Sequence, residues 1–438
     1  RHAPIHAFGS SHGRSRIFRT AYFEHPSYVP LLQRALVLWK ELRDKSGEGE
    51  ELLKMTGALM IGQRSDLEAG SGFLGGVMRS IRAHGLSYEL LGGQQIAARW
   101  PGTLVLAPEE VALYEEDAGV LVPEACIQAH LDIAQQHGAI LCFHEPLKSW
   151  RQQEHESGDK VPVFVLETES GKVHRTRKLV LAVGGWAPKV FGAEVLKKVD
   201  LTLERRVLHW LDPKQNTAGD IDEGKPGDAA TRTKDGFDKL PIYIWEPRGA
   251  SEFYGFPRQE GSPGGIKVAV HDRQGSQPNA LLRTPEELRA RKEGGLRRRA
   301  GRTGHAGDEQ AFSSNEDGEG CDATGGSEED SEEVAEMRRL LSGRVPSLAS
   351  GRHVASVECI YTFTPSEHFL VDWHPAHARG KDVLLVSPCS GHGFKFCSAI
   401  GEMCADMIAT GASPLHVSEL FSIEAHEKNQ CALPSELR

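Results

Sequence analysis

Two short apolar runs, each leading through a small-residue loop towards a helix, constrain the fold most. Residues 178–183 read KLVLAV and are followed by Gly184-Gly185-Trp186. Residues 383–386 read VLLV and precede a small-residue loop and a predicted helix over about 396–410. Continuous apolar runs are typical of strands buried on both faces, as in a parallel sheet. Together the two units predict an open α/β sheet.

The remaining chain offers helix and hairpin signals. Helices are predicted over 28–45 and 123–137, with inward faces formed by Leu32, Ala35, Leu36, Trp39 and Leu42 in the first and Ile127, Leu131 and Ala134 in the second. A short strand is predicted over 139–143, and a hairpin over 161–168 and 173–177.

Length and charge narrow the class of protein. A chain of 438 residues suits two domains, and its net charge of −10 does not favour nucleic acid or an anionic membrane as a partner. Eight scattered cysteines without a zinc spacing favour a reducing compartment, so we expect a cytoplasmic monomer. The ending Ser-Glu-Leu-Arg is not a peroxisomal signal, although a peroxisomal location stays open.

Residues 277–337 differ sharply in composition from their surroundings. A basic cluster at 297–299 precedes an acidic Gly/Ser stretch with few large apolar residues. Such a composition predicts a disordered surface insertion. A passive solvated loop is the simpler interpretation, and a regulatory or partner-binding role is the alternative.

Two glycine motifs differ in their context. Residues 70–75 match G-x-G-x-x-G, but a polar stretch precedes them, so we expect a loop entering an ordinary helix. The motif over 390–396, SGHGFKF, follows an apolar strand and opens a helix. Its glycines allow close approach of a ligand, and the free N–H groups of a helix N-terminus favour negative charge. A plain crossover with a surface lysine is the alternative.

Four further side chains are candidates whose roles the residues alone leave open. Arg16 and Arg19, three positions apart, suit a carboxylate or a flat aromatic ligand, or form a basic surface loop. Cys359 lies in an apolar strand, where a cysteine is usually a small core residue. Lys267 alternates with apolar neighbours and points either inward or outward.

Six motifs taken in order resemble the family of monomeric sarcosine oxidases and N-methyltryptophan oxidases. They read GSSHGRSRIFRTAYFEHPSYVPL, LVLAVGGWAPKV, FYGFPRQ, GGIKVAVH, ECIYTFTPSEHFLVDWHP and SGHGFKF, and they extend over nearly the whole chain. The resemblance implies a doubly wound, Rossmann-like FAD-binding domain (α/β) joined to an antiparallel-sheet substrate domain (α+β). It also implies oxidation of a small secondary amino acid, with O2 as the final acceptor.

The resemblance assigns roles to individual positions. It implies a covalent bond between FAD and Cys359, with Arg16 packed against the flavin ring. It implies that Arg19 and Lys395 bind the substrate carboxylate, that Lys267 activates oxygen, and that Tyr254 and His271 lie near the substrate. The other positions matched to the cofactor site are Gly184, Gly185, Tyr361, Gly391, His392, Gly393 and Phe394.

The same family begins with a strand–GxGxxG–helix unit of about 30 residues that we do not recognise in this chain. We therefore expect a FAD-binding domain that lacks its first βαβ unit, formed by 1–50, 139–200 and 338–438, and a substrate domain formed by 51–138 and 201–276. Two other functions stay open: a dehydrogenase that passes electrons to another protein, and a non-catalytic chain that has lost FAD binding.

Overall fold

The structure is a computed structural model that describes residues 5–47, 52–153, 162–214, 236–259, 261, 263–271, 281–282, 284–287 and 331–432. Its strands are β1 (Arg16–Phe18), β2 (Leu53–Met55), β3 (Ala58–Gln63), β4 (Glu89–Leu91), β5 (Glu110–Glu115), β6 (Gly119–Leu121), β7 (Leu147–Gln152), β8 (Phe164–Thr168), β9 (Val173–Thr176), β10 (Leu179–Leu181), β11 (Thr202–Asp212), β12 (Ile242–Trp245), β13 (Phe253–Gly255), β14 (Ile266–Val270), β15 (Leu281–Leu282), β16 (Arg352–Phe363), β17 (Leu370–Trp373) and β18 (Val383–Ser387).

The helices alternate with these strands. They are α1 (Tyr28–Ser46), α2 (Arg64–Ala69), α3 (Gly72–His84), α4 (Gly93–Arg99), α5 (Pro123–Gln136), α6 (Ala187–Val190), α7 (Ala193–Leu196), α8 (Glu332–Leu341), α9 (Pro346–Ala349), α10 (Cys397–Thr410), α11 (Ser418–Phe421) and α12 (Ile423–Ala432). Short 3-10 turns cover Gly184–Trp186, Phe237–Lys239, Pro375–His377 and Phe394–Phe396.

The largest sheet has the strand order β15-β11-β14-β13-β12-β3-β5-β4, with β16 paired to β11. Alternate residues of β3 enter different cores: Leu59 and Ile61 pack on one face, and Ala58 and Met60 on the other with α3. This alternation is the usual consequence of a strand covered on both faces. Most neighbouring pairs are antiparallel, and β12 with β3 is parallel.

The two apolar runs form strands, as predicted, and pair with each other. Strands β10 and β18 are parallel neighbours in the sheet β10-β18-β17, with Leu179 opposite Val383. The 3-10 turn Gly184–Trp186 follows β10, and the glycine loop and α10 follow β18. The prediction that β10 is buried on both faces is wrong, because Val180 is 42% exposed. Helix α1 and α10 pack on this sheet in one apolar core.

Two local predictions are wrong. Residues 139–143 do not form a strand, and Ile140 is 90% exposed. The reason is that no strand of the described chain lies beside this segment to pair with its backbone N–H and C=O groups. Helix α5 is rotated from the predicted face: Cys126 and Ala129 are buried, whereas Ile127 and Leu131 are half-buried at the wall of a cavity.

Within the predicted insertion over 277–337, the structure describes residues 281–282, 284–287 and 331–337. Strand β15 pairs with β11, placing Leu282 opposite Leu203. Helix α8 begins at Glu332, where the Ser331 side chain accepts a hydrogen bond from the backbone N–H of Val334, 3.4 Å away. Capping and the apolar spacing that continues to Leu341 explain why this end folds. Residues 288–330, the centre of the predicted disorder, lie outside the described residues.

The division into two domains stays a prediction, but the pairing of β16 bears on the assignment of one segment. We grouped 338–438 with the FAD-binding domain, whereas β16 pairs with β11 of the largest sheet from Thr202 to Asp212. Its ladder therefore brings Cys359 to that sheet. The G-x-G-x-x-G at 70–75 enters α3, as expected for an ordinary helix.

Candidate active site

A cavity of about 1380 Å³ lies where the glycine turns after β10 and β18 face β1, β13 and β16. All but one of the predicted site residues line it, namely Arg16, Arg19, Gly184, Gly185, Tyr254, His271, Cys359, Tyr361, Gly391, His392, Gly393, Phe394 and Lys395. The exception is Lys267. Positions distant in sequence therefore converge on one space.

Lys267 lies behind a backbone turn and not on the cavity wall. It is 1% exposed, and its Nζ donates to the carbonyls of Gly13 and Ser15, each 2.9 Å away. Burial, and then the Arg16 cation, holds the pKa of Lys267 well below its ordinary value. Of the two orientations that the sequence left open, the inward one is therefore found in β14, but the turn stands between Lys267 and the cavity.

The arginines occupy the two ends of β1. The Arg16 guanidinium donates to the carbonyls of Ser15, at 2.7 Å, and Ser10. Arg19 is 3% exposed, donates to the carbonyl of Ala21 at 2.6 Å and pairs with Glu24 at 3.3 Å. Both cations are thus fixed in place at the wall.

Lys395 belongs to a hydrogen-bonded group that the sequence did not reveal. Its Nζ donates to the carbonyl of His392 at 2.7 Å and lies 3.5 Å from Tyr22 Oη. His392 Nε2 lies 3.0 Å from the carbonyl of Glu367, so it donates there, and Nδ1 accepts from Tyr22 Oη at 2.6 Å. Burial, and then the Arg19 cation, lowers the pKa of Lys395 to about 7.

Cys359 reaches the cavity from the middle of β16. It lies opposite Arg206 of β11 and is 1% exposed. Tyr361, two residues further and on the same side of the strand, packs with Cys359 in one cluster. Cys359 is not in a disulfide, and it belongs to the residues that line the cavity.

Tyr254, His271 and Tyr361 form an aromatic wall. The His271 ring lies 6.4 Å from Tyr254 and 6.0 Å from Tyr361, between ring centres. Burial lowers the pKa of His271 to about 3, so the ring is neutral at ordinary pH. Burial also raises the pKa of both phenols, which keeps them protonated. The wall therefore supplies hydrogen-bonding groups and no charge.

Glycines close the cavity where backbone and rings meet. A Cβ at Gly391 would lie 2.5 Å from Tyr361 Cε2, and the residue has a φ of +78°. A Cβ at Gly393 would lie 1.6 Å from the carbonyl oxygen of Pro388. Gly184 also has a positive φ, and Gly185 is tightly packed against Pro285 and Ile360. Gly391 and Gly393 therefore admit only glycine without rearrangement, a side chain at Gly184 would be strained by the positive φ, and a side chain at Gly185 would press on Pro285.

The lining residues fit a flavin dinucleotide. The cavity is large, has glycine turns on two sides, and combines buried cations with a cysteine at its wall and the N-terminus of α10. Amide N–H groups and cations suit the negative charge of a reduced flavin and its phosphates. Within the described ranges, no group of three or more His, Cys, Asp or Glu residues could hold a metal ion.

Several neighbours were not predicted from the sequence. From the loop after β1, Tyr22 contacts Lys395 and Glu24 pairs with Arg19. Trp245 is fully buried in the core, and its Nε1 donates to Glu110 at 2.9 Å. Among the described helices, none is long and apolar enough to cross a membrane.

Comparisons with known proteins agree with this site. Residues 2–407 match the model of the DAO family, described as FAD dependent oxidoreductase. Monomeric sarcosine oxidase of Streptomyces avermitilis is 33% identical over 410 residues, covering 94% of this chain and 86% of that protein. N-methyl-L-tryptophan oxidase of Escherichia coli is 27% identical over 406 residues, covering 92% of this chain and 86% of its own.

Solved structures show the same fold. NikD, an unusual amino acid oxidase essential for nikkomycin biosynthesis, superposes with a TM-score of 0.65 at 18% identity, covering 96% of this chain and 89% of that one. L-proline dehydrogenase from P. horikoshii gives a TM-score of 0.64 at 15% identity, covering 97% and 89%. The chain therefore belongs to the FAD-dependent oxidoreductase family, among the monomeric sarcosine oxidases and N-methyltryptophan oxidases.

Proposed function

We propose that this protein is an FAD-dependent oxidase of a small secondary amino acid of the sarcosine, N-methyl amino acid or pipecolate type. The amine is oxidised to an imine, which water hydrolyses, and O2 is reduced to H2O2. The observation that carries the proposal is the meeting of Arg19, Lys395 and Cys359 at one cavity. That combination suits a substrate carboxylate beside a tethered cofactor.

FAD, when bound, accepts the two electrons and the hydrogen from the substrate and passes them to oxygen. The residues that would hold it are Cys359, through a thioether, and Arg16, with the glycine turns 184–185 and 391–393. The near-complete burial of Cys359 at the cavity wall supports a tether, because a bond there would fix the ring.

Arg19 and Lys395 would bind the substrate carboxylate. Both are at least 94% buried, so an anion placed between them interacts in a medium of low dielectric. A bound carboxylate would raise the pKa of Lys395 again from about 7 and hold its proton. Fixing the substrate in this way orients the amine, and orientation contributes about 7 kcal/mol or more to barrier reduction.

Lys267 would assist the reaction with oxygen. A preorganised cation stabilises negative charge that develops on oxygen as it is reduced. The turn 13–15 separates the ammonium from the cavity, so its field acts across one layer of backbone. Tyr254 and the neutral His271 would complete the wall near the amine.

A substrate screen tests the proposal. Protein loaded with FAD is mixed with sarcosine, other N-methyl amino acids and pipecolate, and oxygen uptake and peroxide are recorded. We expect equal amounts of oxygen consumed and peroxide formed, and no turnover of the corresponding amides. Flavin reduction without oxygen uptake would indicate a dehydrogenase that needs a protein acceptor. Failure of the purified protein to retain FAD would support the non-catalytic alternative.

A further inference from the structure

The segment 10–21, which carries the site residues Arg16 and Arg19, is held by a carboxylate at each end. At the first end Glu124 Oε1, on the first turn of α5, accepts the backbone N–H groups of Gly13 at 2.9 Å and Arg14 at 3.2 Å. Gly13 and Arg14 both have positive φ, +90° and +60°. A non-glycine residue in that conformation is strained, so the turn needs such contacts to persist.

At the second end Glu115 binds the residues after Arg19. Its Oε1 accepts the backbone N–H of Thr20 at 2.8 Å and the Thr20 hydroxyl, and its Oε2 accepts the N–H of Ala21 at 3.1 Å. Glu115 is 2% exposed. Burying a carboxylate costs free energy unless hydrogen bonds compensate, and here three of them do.

The strand between the two ends is too short to fix the arginines alone. Strand β1 has three residues and pairs with β6 at Arg16, Ile17 and Phe18. The directions of the side chains at its ends therefore depend on the adjoining loops. The carbonyls that receive Lys267 belong to Gly13 and Ser15, and the carbonyl that receives Arg19 belongs to Ala21.

We propose that Glu124 and Glu115 are separate positioning residues: Glu124 sets the turn shared by Arg16 and Lys267, and Glu115 sets Arg19. The inference rests on the proposed function for its kinetic consequences, but not for its structural ones. Glu124 serves the cofactor and oxygen side of the cavity, and Glu115 serves the carboxylate side. Stabilisation of the α5 N-terminus by an acidic residue is the ordinary role that the test must separate from this one.

Amide hydrogen exchange tests the positioning directly and needs neither FAD nor substrate. In Glu124→Ala the amides of Gly13 and Arg14 should exchange at least about tenfold faster, and those of Thr20 and Ala21 should not change, since one charge-assisted hydrogen bond is worth about that factor or more. Glu115→Ala should give the reverse pattern. The exposed neighbour Glu116 supplies the control, because Glu116→Ala should alter neither pair.

A glutamine at each position sharpens the comparison. Glu124 Oε2 is buried and has no hydrogen-bond partner among the residues the structure describes, so Glu124→Gln keeps both bonds to the turn. Both oxygens of Glu115 accept backbone N–H groups, so Glu115→Gln must lose one. We expect slow exchange at 13–14 in the first variant and fast exchange at 20 or 21 in the second.

Kinetics of the FAD-loaded protein provide the second readout. Glu124→Ala should slow the reaction of reduced enzyme with oxygen by about tenfold or more with little change in KM, and Glu115→Ala should raise KM by a similar factor and leave the oxygen step unchanged. The titratable groups that act on the pKa of Lys267 are Arg16, Cys359 and Glu124, and Cys359 no longer titrates once it forms a thioether. Removing the Glu124 charge in Glu124→Gln should therefore move the pH above which the oxygen step slows to a lower value.

Two results would overturn the proposal. One is exchange that rises equally at both ends in each alanine variant, which would indicate general destabilisation. The other is normal exchange in both alanine variants. Lack of oxidase activity in the unsubstituted protein would count against the proposed function alone, because the exchange pattern would still decide whether the carboxylates position the segment.

Discussion

Carboxylate binding in the cavity should weaken as the pH rises above 7. Burial and the Arg19 cation lower the pKa of Lys395 to about 7, and only its protonated form attracts an anion. The apparent dissociation constant should grow in proportion to 1 + 10^(pH−pKa). For this pKa it should rise about fivefold from pH 7 to 8 and about fiftyfold from pH 7 to 9. Arg19 stays protonated throughout and contributes no pH dependence.

The assay uses a carboxylate without an amine, such as benzoate, because the secondary amine of a substrate titrates in its own right. Its binding to FAD-loaded protein is followed by the change in flavin absorbance from pH 6 to 9. Lys395→Met should bind weakly and without pH dependence over this range. A constant affinity in the unsubstituted protein, or the same steep pH dependence in Lys395→Met, would refute the assignment of the lysine.

Three further substitutions address other parts of the site. Cys359→Ser should release flavin into the supernatant after acid precipitation. Release of flavin from the unsubstituted protein under the same treatment would contradict the proposed thioether. Lys267→Met should slow reoxidation of the reduced enzyme by about tenfold or more and leave anaerobic reduction largely unchanged, as stopped-flow absorbance would report. Gly391→Ala should cost about 1–3 kcal/mol of unfolding free energy in urea, since its φ of +78° and the Tyr361 ring oppose a Cβ. Gly401→Ala, with no atom within 4 Å of its Cβ, should cost none.

Local patterns in the sequence were sufficient to predict two strands and the glycine-rich loops after them, which lie at the cavity. The strands at 179–181 and 383–387 are short apolar runs, and the loops after them are rich in glycine, so both signals lie within about ten residues. The motif resemblance then supplied the positions of the cavity wall. The prediction of a strand over 139–143 was wrong because an apolar segment becomes a strand only where another strand pairs with it through hydrogen bonds.

Contacts between residues that are distant in the chain could not be predicted from the sequence. The apolar spacing of α5 predicted its inward face one residue away from the buried Cys126, because Ile127 instead meets the cavity. Nothing adjacent to Lys267 in sequence indicates that the carbonyls of residues 13 and 15 cover it. The same holds for Glu124, which reads as an ordinary acidic residue at a helix start. Such roles depend on contacts between residues more than one hundred positions apart.

The cations of the site are held mainly by backbone carbonyls. Arg16, Lys267 and Lys395 donate to backbone carbonyls, and Arg19 divides its contacts between a carbonyl and Glu24. A carbonyl satisfies a buried N–H group without cancelling the charge, whereas a carboxylate at the same place would neutralise it.

Because burial leaves the surroundings poor in screening water, this uncancelled charge acts strongly on whatever enters the cavity. Glu124 and Glu115 fit the same arrangement, since each carboxylate accepts hydrogen bonds from backbone N–H groups and not from a guanidinium. In the proposed function the carboxylates therefore set the position of the cations, and the cations would be available to an anionic substrate and to the charge that forms on the reduced cofactor.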